Sequence, residues 1–282
     1  MTKTTGTTIH VAHSPDSDDA FMFYALAEGK IDTEGLTYVH ELQDIETLNQ
    51  RARRAELEVT AVSIHAYAYI SDRYALLPHG ASMGDRYGPR LVARTAATRA
   101  DVKGKRIAVP GPLTSAYLQL RMFEPEFTAV FTPFDQIMDA VSNGDVDMGL
   151  LIHEGQLTYG DHGLHLVADM GEWWFQETGL PLPLGGNVVR KDLGVELTRK
   201  ISRHLRASIA YGLEHRVGAL EHAMRYARDL DQAQADTFVG MYVNDWTLDY
   251  GARGREAVRR FLGRGSELGF IDHPVHVEFA ED

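Results

Sequence analysis

Residues 149–152, Gly-Leu-Leu-Ile, form a short apolar run that opens after the turn signal Asn143-Gly144-Asp145 and stops on His153-Glu154-Gly155. A run this short and this uninterrupted reads as a strand buried inside an α/β sheet. Open α/β sheets bind ligands at the carboxyl ends of their strands, and here that end carries an imidazole. An unperturbed histidine titrates near neutrality, so it serves as a general base without extreme tuning. The chain has 13 histidines, and spacing alone equally allows one hydrogen-bonded as packing.

The sequence of apolar run, polar turn and helix start recurs along the chain. Ile9-His10-Val11-Ala12-His13-Ser14 reads as a first strand. Pro15 breaks it, and Asp16-Ser17-Asp18-Asp19 supplies N-cap candidates for the helix that begins with Ala20-Phe21-Met22. One of Asp16, Ser17 or Asp18 is expected to cap, and the corner also places carboxylates and hydroxyls where a ligand would sit. A second strand is expected over 36–42, followed by a helix opened by Asp44. Val59-Thr60-Ala61-Val62-Ser63 reads as a third strand with Ser63 where strand meets helix. Short strands at 76–77 and 91–94 flank a glycine-containing loop. Residues 106–109 form another strand. Pro110-Gly111-Pro112 then turns the chain into a helix starting at Thr114-Ser115-Ala116. Exposed N–H groups of such a first turn, with the helix dipole, can hold a carboxylate or phosphate, although a plain Thr114 or Ser115 cap accounts for the same residues. The spacing fits neither a P-loop nor a dinucleotide fingerprint.

Further strands are expected at 128–131 and 164–168, and helices at 135–143 and from about 170. Trp173-Trp174-Phe175 reads as core or a contact between lobes. The alternating prolines of Gly179-Leu180-Pro181-Leu182-Pro183-Leu184-Gly185-Gly186-Asn187 rule out a regular helix and suggest a rigid crossing segment. Periodic apolar spacing then predicts helices over 198–214, 216–230, 232–242 and 254–268.

A length of 282 residues favours two lobes or one large domain. With one βαβ unit inserted into another, residues 1–95 plus 188–282 are expected to form lobe I and residues 96–187 lobe II, with a ligand cleft between them. A net charge of -12 without a long basic run argues against nucleic acid as a partner. The absence of cysteine removes disulfides, thiolate metal sites and cysteine nucleophiles. The start of the chain is polar, and no apolar stretch approaches the roughly 18 residues of a membrane span. The expectation is therefore a soluble, cytoplasmic protein with no membrane partner, and its aromatic residues and charged helices are compatible with a homodimer.

Several segments together resemble the 1,4-dihydroxy-6-naphthoate synthases of the futalosine-dependent route to menaquinone. They are Ser14-Pro15-Asp16-Ser17-Asp18-Asp19, residues 44–49, Leu151-Ile152-His153-Glu154, Trp173-Trp174, residues 178–185 and Tyr242-Val243-Asn244. The resemblance runs from Ile9 to about Leu268. It implies a two-lobed, periplasmic-binding-protein-like α/β fold of the second type, put to enzymatic use. The implied reaction converts cyclic dehypoxanthinyl futalosine into 1,4-dihydroxy-6-naphthoate and dihydroxyacetone, as a carbon–carbon lyase with neither metal nor organic cofactor. His153 matches the family's proton acceptor. Ser115-Ala116 and Ser63 match binding positions; Ala61, Val62, Asp16, Asp18 and Asn187 complete the expected contacts to a small-molecule carboxylate substrate. Two departures stand out. Ala61-Val62-Ser63 replaces a frequent lysine-leucine-serine run, and Asp16-Ser17-Asp18 replaces a cysteine-proline-asparagine run. The competing readings are chorismate dehydratase of the same pathway and a non-enzymatic binding protein for a small aromatic carboxylate.

Overall fold

Alternating buried positions make β1 (Thr8–His13), with Ile9 and Val11 turned inward. Pro15 breaks the strand, and α1 (Ser17–Ala27) follows, burying apolar residues almost all round because it lies between a sheet and the later helices. The computed structural model describes residues 7–227 and 230–280. The polar start at residues 1–6 and two positions of the helix expected over 216–230 lie outside them.

After α1 come β2 (Thr37–Leu42), α2 (Ile45–Arg53), β3 (Val59–Ser63), α3 (Ile64–Tyr67), β4 (Tyr74–Leu76), β5 (Ser82–Gly84) and β6 (Arg90–Ala93). The middle of the chain contributes β7 (Arg106–Val109), α4 (Ser115–Phe123), β8 (Thr128–Phe131), α5 (Ile137–Asn143), β9 (Met148–Leu151), α6 (Gly155–Thr158), β10 (His165–Asp169) and α7 (Met170–Thr178). It closes with β11 (Leu182–Arg190), α8 (Val195–Glu214), α9 (Arg216–Ala223), α10 (Gln232–Tyr242), α11 (Asp245–Leu248) and α12 (Gly251–Glu267). No helix among the described residues is long and apolar enough to cross a membrane.

These strands form two sheets. The first has the order β2-β1-β3-β11-β4, with β5 also on β11; the second has the order β10-β6-β9-β7-β8. In the first, β1 pairs in parallel with β2 on one side and β3 on the other. In the second, β7 pairs in parallel with β8 and β9. Each sheet therefore reverses its strand order at one place, at β1 and at β7. The crossover helices leave a crevice beyond the carboxyl ends of those strands. The chain leaves the first sheet after β5, enters the second at β6, and returns through β11.

Two sequence expectations change here. Most of the crossing segment at 179–187 is strand: β11 runs antiparallel to both β3 and β4, with Leu182, Val188 and Val189 buried. Pro183, which lacks an N–H, sits near its start, where the register with β5 shifts between Pro183 and Gly185. The helix expected over 216–230 ends at Ala223. One buried cluster runs through both sheets, joining Val62 and Ile64 to Ile107, Met148 and Trp174. Trp174 packs edge-on against Phe261 and is core, while the half-buried Trp173 packs against it through Phe123.

Candidate active site

The starts of α1, α2, α3 and α4 converge on one cavity between the sheets, lined by residues that include Asp16, Ser63, Ser115, His153 and Asn187. Ala61, Val62, Ala116 and Asp18 line it too, so every position expected from sequence to touch substrate faces the same space.

The β1–α1 corner is carboxylate-rich. Asp16 holds the N-cap position of α1 with extended backbone, but its side chain caps nothing. Its Oδ2 instead lies 3.0 Å from Nδ1 of His153, with the two side chains only 4% and 15% exposed. The cap expected of Asp16, Ser17 or Asp18 is replaced by a nearby turn contact: Asp19 Oδ2 accepts from the Ser14 N–H at 2.7 Å. Ser17 Oγ donates to Glu154 at 3.5 Å.

His153 stands just past β9, as its sequence position predicts. Phe134 packs edge-on against its ring, centroid to centroid at 4.1 Å. Nδ1 faces Asp16, while Nε2 is buried without a hydrogen-bond partner among the described residues. Burial disfavours the imidazolium, but Asp16, Glu154 and Asp18 outweigh it, and the His153 pKa is raised above its ordinary value. The same crowding acts on the carboxyls. Desolvation, then Asp19, Asp16 and Glu154, holds Asp18 well above the carboxylate range. Burial pushes Asp19 up to about 6. Asp16, His153 and Glu154 bring one potential ligand atom each within 4.8 Å of one another. Within this group the closest contact is His153 Nδ1 to Asp16 Oδ2 at 3.0 Å.

The β7–α4 corner carries no ionisable side chain of its own, though Glu46 of α2 reaches its loop. Thr114 caps α4 by accepting from the Tyr117 N–H at 3.2 Å. Ser115 Oγ donates to the Leu184 carbonyl at 2.6 Å and accepts from the His65 N–H at 3.1 Å. That hydroxyl is thus committed to joining α4, α3 and β11, and what the corner offers a ligand is the backbone N–H groups of Ser115 and Ala116 at the helix start. Gly111 lets this loop reach across to α2. A Cβ there would fall 2.5 Å from Glu46 Oε2, which accepts from the Leu113 N–H at 3.1 Å.

Two further groups complete the lining. Ser63 is clamped by Asn49, a residue that sequence reasoning missed because it lies mid-helix in α2. Asn49 Oδ1 accepts from the Ser63 N–H at 2.8 Å and its Nδ2 donates to Ser63 Oγ at 3.1 Å, leaving the Ser63 hydroxyl proton for a ligand. Asn187, on β11, donates Nδ2 to the Gly80 carbonyl at 3.2 Å, and its Oδ1 is buried with no partner among the described residues. Gly80 must be glycine, with φ +82 and a Cβ position only 2.2 Å from Asn187 Nδ2.

Comparison with known proteins is consistent across the chain. The sequence model of a family described as menaquinone biosynthesis matches residues 9–267. A 1,4-dihydroxy-6-naphthoate synthase of Streptomyces coelicolor is 38% identical over 270 residues, covering 94% of this chain and 95% of the relative. A synthase of the same name from Thermus thermophilus is 38% identical over 261 residues, covering 93% and 95%. Among solved structures, a protein of Archaeoglobus fulgidus is 48% identical with a TM-score of 0.90, covering 93% of this chain and 98% of that one. The alkanesulfonate-binding protein of Xanthomonas axonopodis pv. citri shares the fold at 12% identity and a TM-score of 0.74, over 96% of each chain.

Proposed function

This chain belongs to the menaquinone-biosynthesis family, and from that premise we propose that it carries out the 1,4-dihydroxy-6-naphthoate synthase reaction by a retro-aldol carbon–carbon cleavage, in the cytoplasm. The observation that carries this reading is the state of His153. Its Nδ1 is held by a buried carboxylate, and its Nε2 is desolvated and has no partner among the described residues. An imidazole so placed, with Nδ1 carrying the proton, has its basic lone pair on Nε2.

The substrate's carboxylate fits the opposite corner, on the Ser115 and Ala116 N–H groups and the positive end of the α4 dipole. The free Ser63 hydroxyl proton lines the same space. No cation is needed there, which suits Ala61 at a position where the resembling synthases often carry lysine. Asn187 Oδ1, an acceptor without a donor among the described residues, suits a substrate hydroxyl, and Asp18 lines the same cavity beside His153.

His153 Nε2 removes a hydroxyl proton. The resulting alkoxide becomes a carbonyl as the adjacent carbon–carbon bond breaks. That electron pair enters the bicycle, which aromatises as a naphtholate while dihydroxyacetone departs; the proton returns from the imidazolium. A positioned base contributes about 10²–10⁴-fold to such a step, and exclusion of water between the sheets strengthens the charges involved.

The test is mass spectrometry of purified protein incubated with cyclic dehypoxanthinyl futalosine. Dihydroxynaphthoate and dihydroxyacetone appearing together support the reading. Substrate retained intact on the protein would overturn it in favour of a binding role.

A further inference from the structure

We infer that Asp16 is the positioning residue of His153 and that the two sheets assemble this pair across the cavity; the inference rests on the proposed role of His153 as base. The geometry is specific. Asp16 follows β1 of the first sheet and His153 follows β9 of the second, so the 3.0 Å contact between them joins the two halves of the structure. Asp16 occupies a helix N-cap position yet leaves the cap unmade. Its side chain turns instead to the imidazole, where it fixes Nδ1 as the protonated nitrogen and opposes charge built on the ring.

The same short stretch of the second sheet is tied down twice more to the first. Ser17 Oγ donates to Glu154 at 3.5 Å, and the Tyr242 hydroxyl donates to Gln156 Oε1 at 2.8 Å. Residues 153–156 thus rest on the starts and ends of α1 and α10, and any separation of the sheets would part the base from its carboxylate. Orientation of the base is thereby tied to closure around substrate. The charged groups facing His153 are Asp16 and Asp18 at the start of α1, with Asp19 behind them, and Glu154 beside the ring on its own segment.

Native protein, Asp16→Asn and Asp16→Glu are compared by steady-state turnover of cyclic dehypoxanthinyl futalosine. Nitrogen-15 spectra of labelled histidine, with His153→Ala to identify the resonance, report the tautomer without turnover. Asp16→Asn is expected to lower kcat at least about tenfold with KM changed no more than about threefold. The acid limb of its kcat profile moves to lower pH, and the fixed Nδ1–H tautomer of His153 is lost. Asp16→Glu restores part of both. Tyr242→Phe, which cuts a second tie, is expected to combine non-additively with Asp16→Asn.

Native kcat in Asp16→Asn, or a loss confined to KM with the tautomer unchanged, would overturn the assignment and leave Asp16 as a substrate contact. Strict additivity with Tyr242→Phe would overturn the assembly across the sheets. An inactive native protein would refute the proposed reaction, while the spectra still decide the pairing. Where Asp16→Asn fails to fold, Asp16→Glu carries the same comparison.

Discussion

At the end of β1 the chain turns through Pro15 and Asp16 into α1; at the end of β7 it turns through Pro110, Gly111 and Pro112 into α4, and both helix starts face one cavity. Each lies where its sheet reverses strand order, so the backbone offers the same thing twice: N–H groups beside a crevice. Side chains make the two corners opposite. The first fills its N–H end with Asp16, Asp18 and Asp19, and the acids raise one another's pKa and that of His153. The second has no ionisable residue between Pro110 and Ala116, its one hydroxyl pair is spent on capping and packing, Glu46 of α2 takes the Leu113 N–H, and the N–H groups of Ser115 and Ala116 are left facing the cavity. On the proposed reading, the same local chain geometry handles a proton in one sheet and holds an anion in the other. The difference is set by which groups already satisfy the backbone.

Substitutions at each corner test this contrast. The largest effect is expected at the titrating corner: His153→Ala should lose about 10²–10⁴-fold in kcat, read as dihydroxynaphthoate formed, and near-native turnover would remove His153 from the reaction. At the β7–α4 corner, Ala116→Glu sets a carboxylate where a carboxylate should bind. It should raise KM by about tenfold or more while kcat changes far less, since a charge of the wrong sign at a helix start opposes binding. An unchanged dissociation constant for 1,4-dihydroxy-6-naphthoate, measured by calorimetry, would place the anion elsewhere.

pH separates the corners without mutation. A base must be neutral, and the His153 pKa is raised, so kcat should climb through an acid limb above pH 6.5 while product affinity stays nearly flat across it. An affinity that tracks kcat would mean that one corner does both jobs. Asn187→Ala removes the Oδ1 acceptor, and an uncharged hydrogen bond of about 1 kcal/mol predicts roughly a fivefold rise in KM.

The smallest effect concerns stability. The folded-state pKa of Asp18 is raised above its unfolded value. The native protein therefore holds that proton more tightly, and the contribution to stability is lost as pH rises through the folded pKa. Asp18→Asn should then raise Tm by about 2 °C or more at pH 8 while slowing turnover, a trade between stability and function. A lower Tm at pH 8 would show that the acids of this corner stabilise the fold.

Much of the framework was legible because short apolar runs and turn residues act locally. The strand at 59–63 and the helix at 232–242 appear with the predicted bounds, and β1, β7 and β9 differ from expectation by a residue or less at most ends. β5 was hidden because three residues beside glycine loops carry no periodicity, and its pairing is supplied by β11. β11 was itself obscured by Pro183 and paired glycines, which a strand tolerates only where register shifts and neighbours on both edges take up the remaining N–H groups. The end of α9 at Ala223 was missed because apolar spacing continues beyond it.

Local sequence is enough to tell the kinds of residue at each strand end: carboxylates after β1, a serine closing β3, hydroxyls and a helix start after β7, a histidine after β9. Those are properties of neighbouring residues and need no partner. The tertiary structure alone decided what each does. It spent the Ser115 hydroxyl on Leu184 and His65, clamped Ser63 with Asn49, and turned Asp16 from helix cap to partner of His153. The Ser115 and Asp16 outcomes depend on groups tens of residues away arriving within hydrogen-bond distance, and the Ser63 clamp on one 14 residues away; only tertiary packing brings them there.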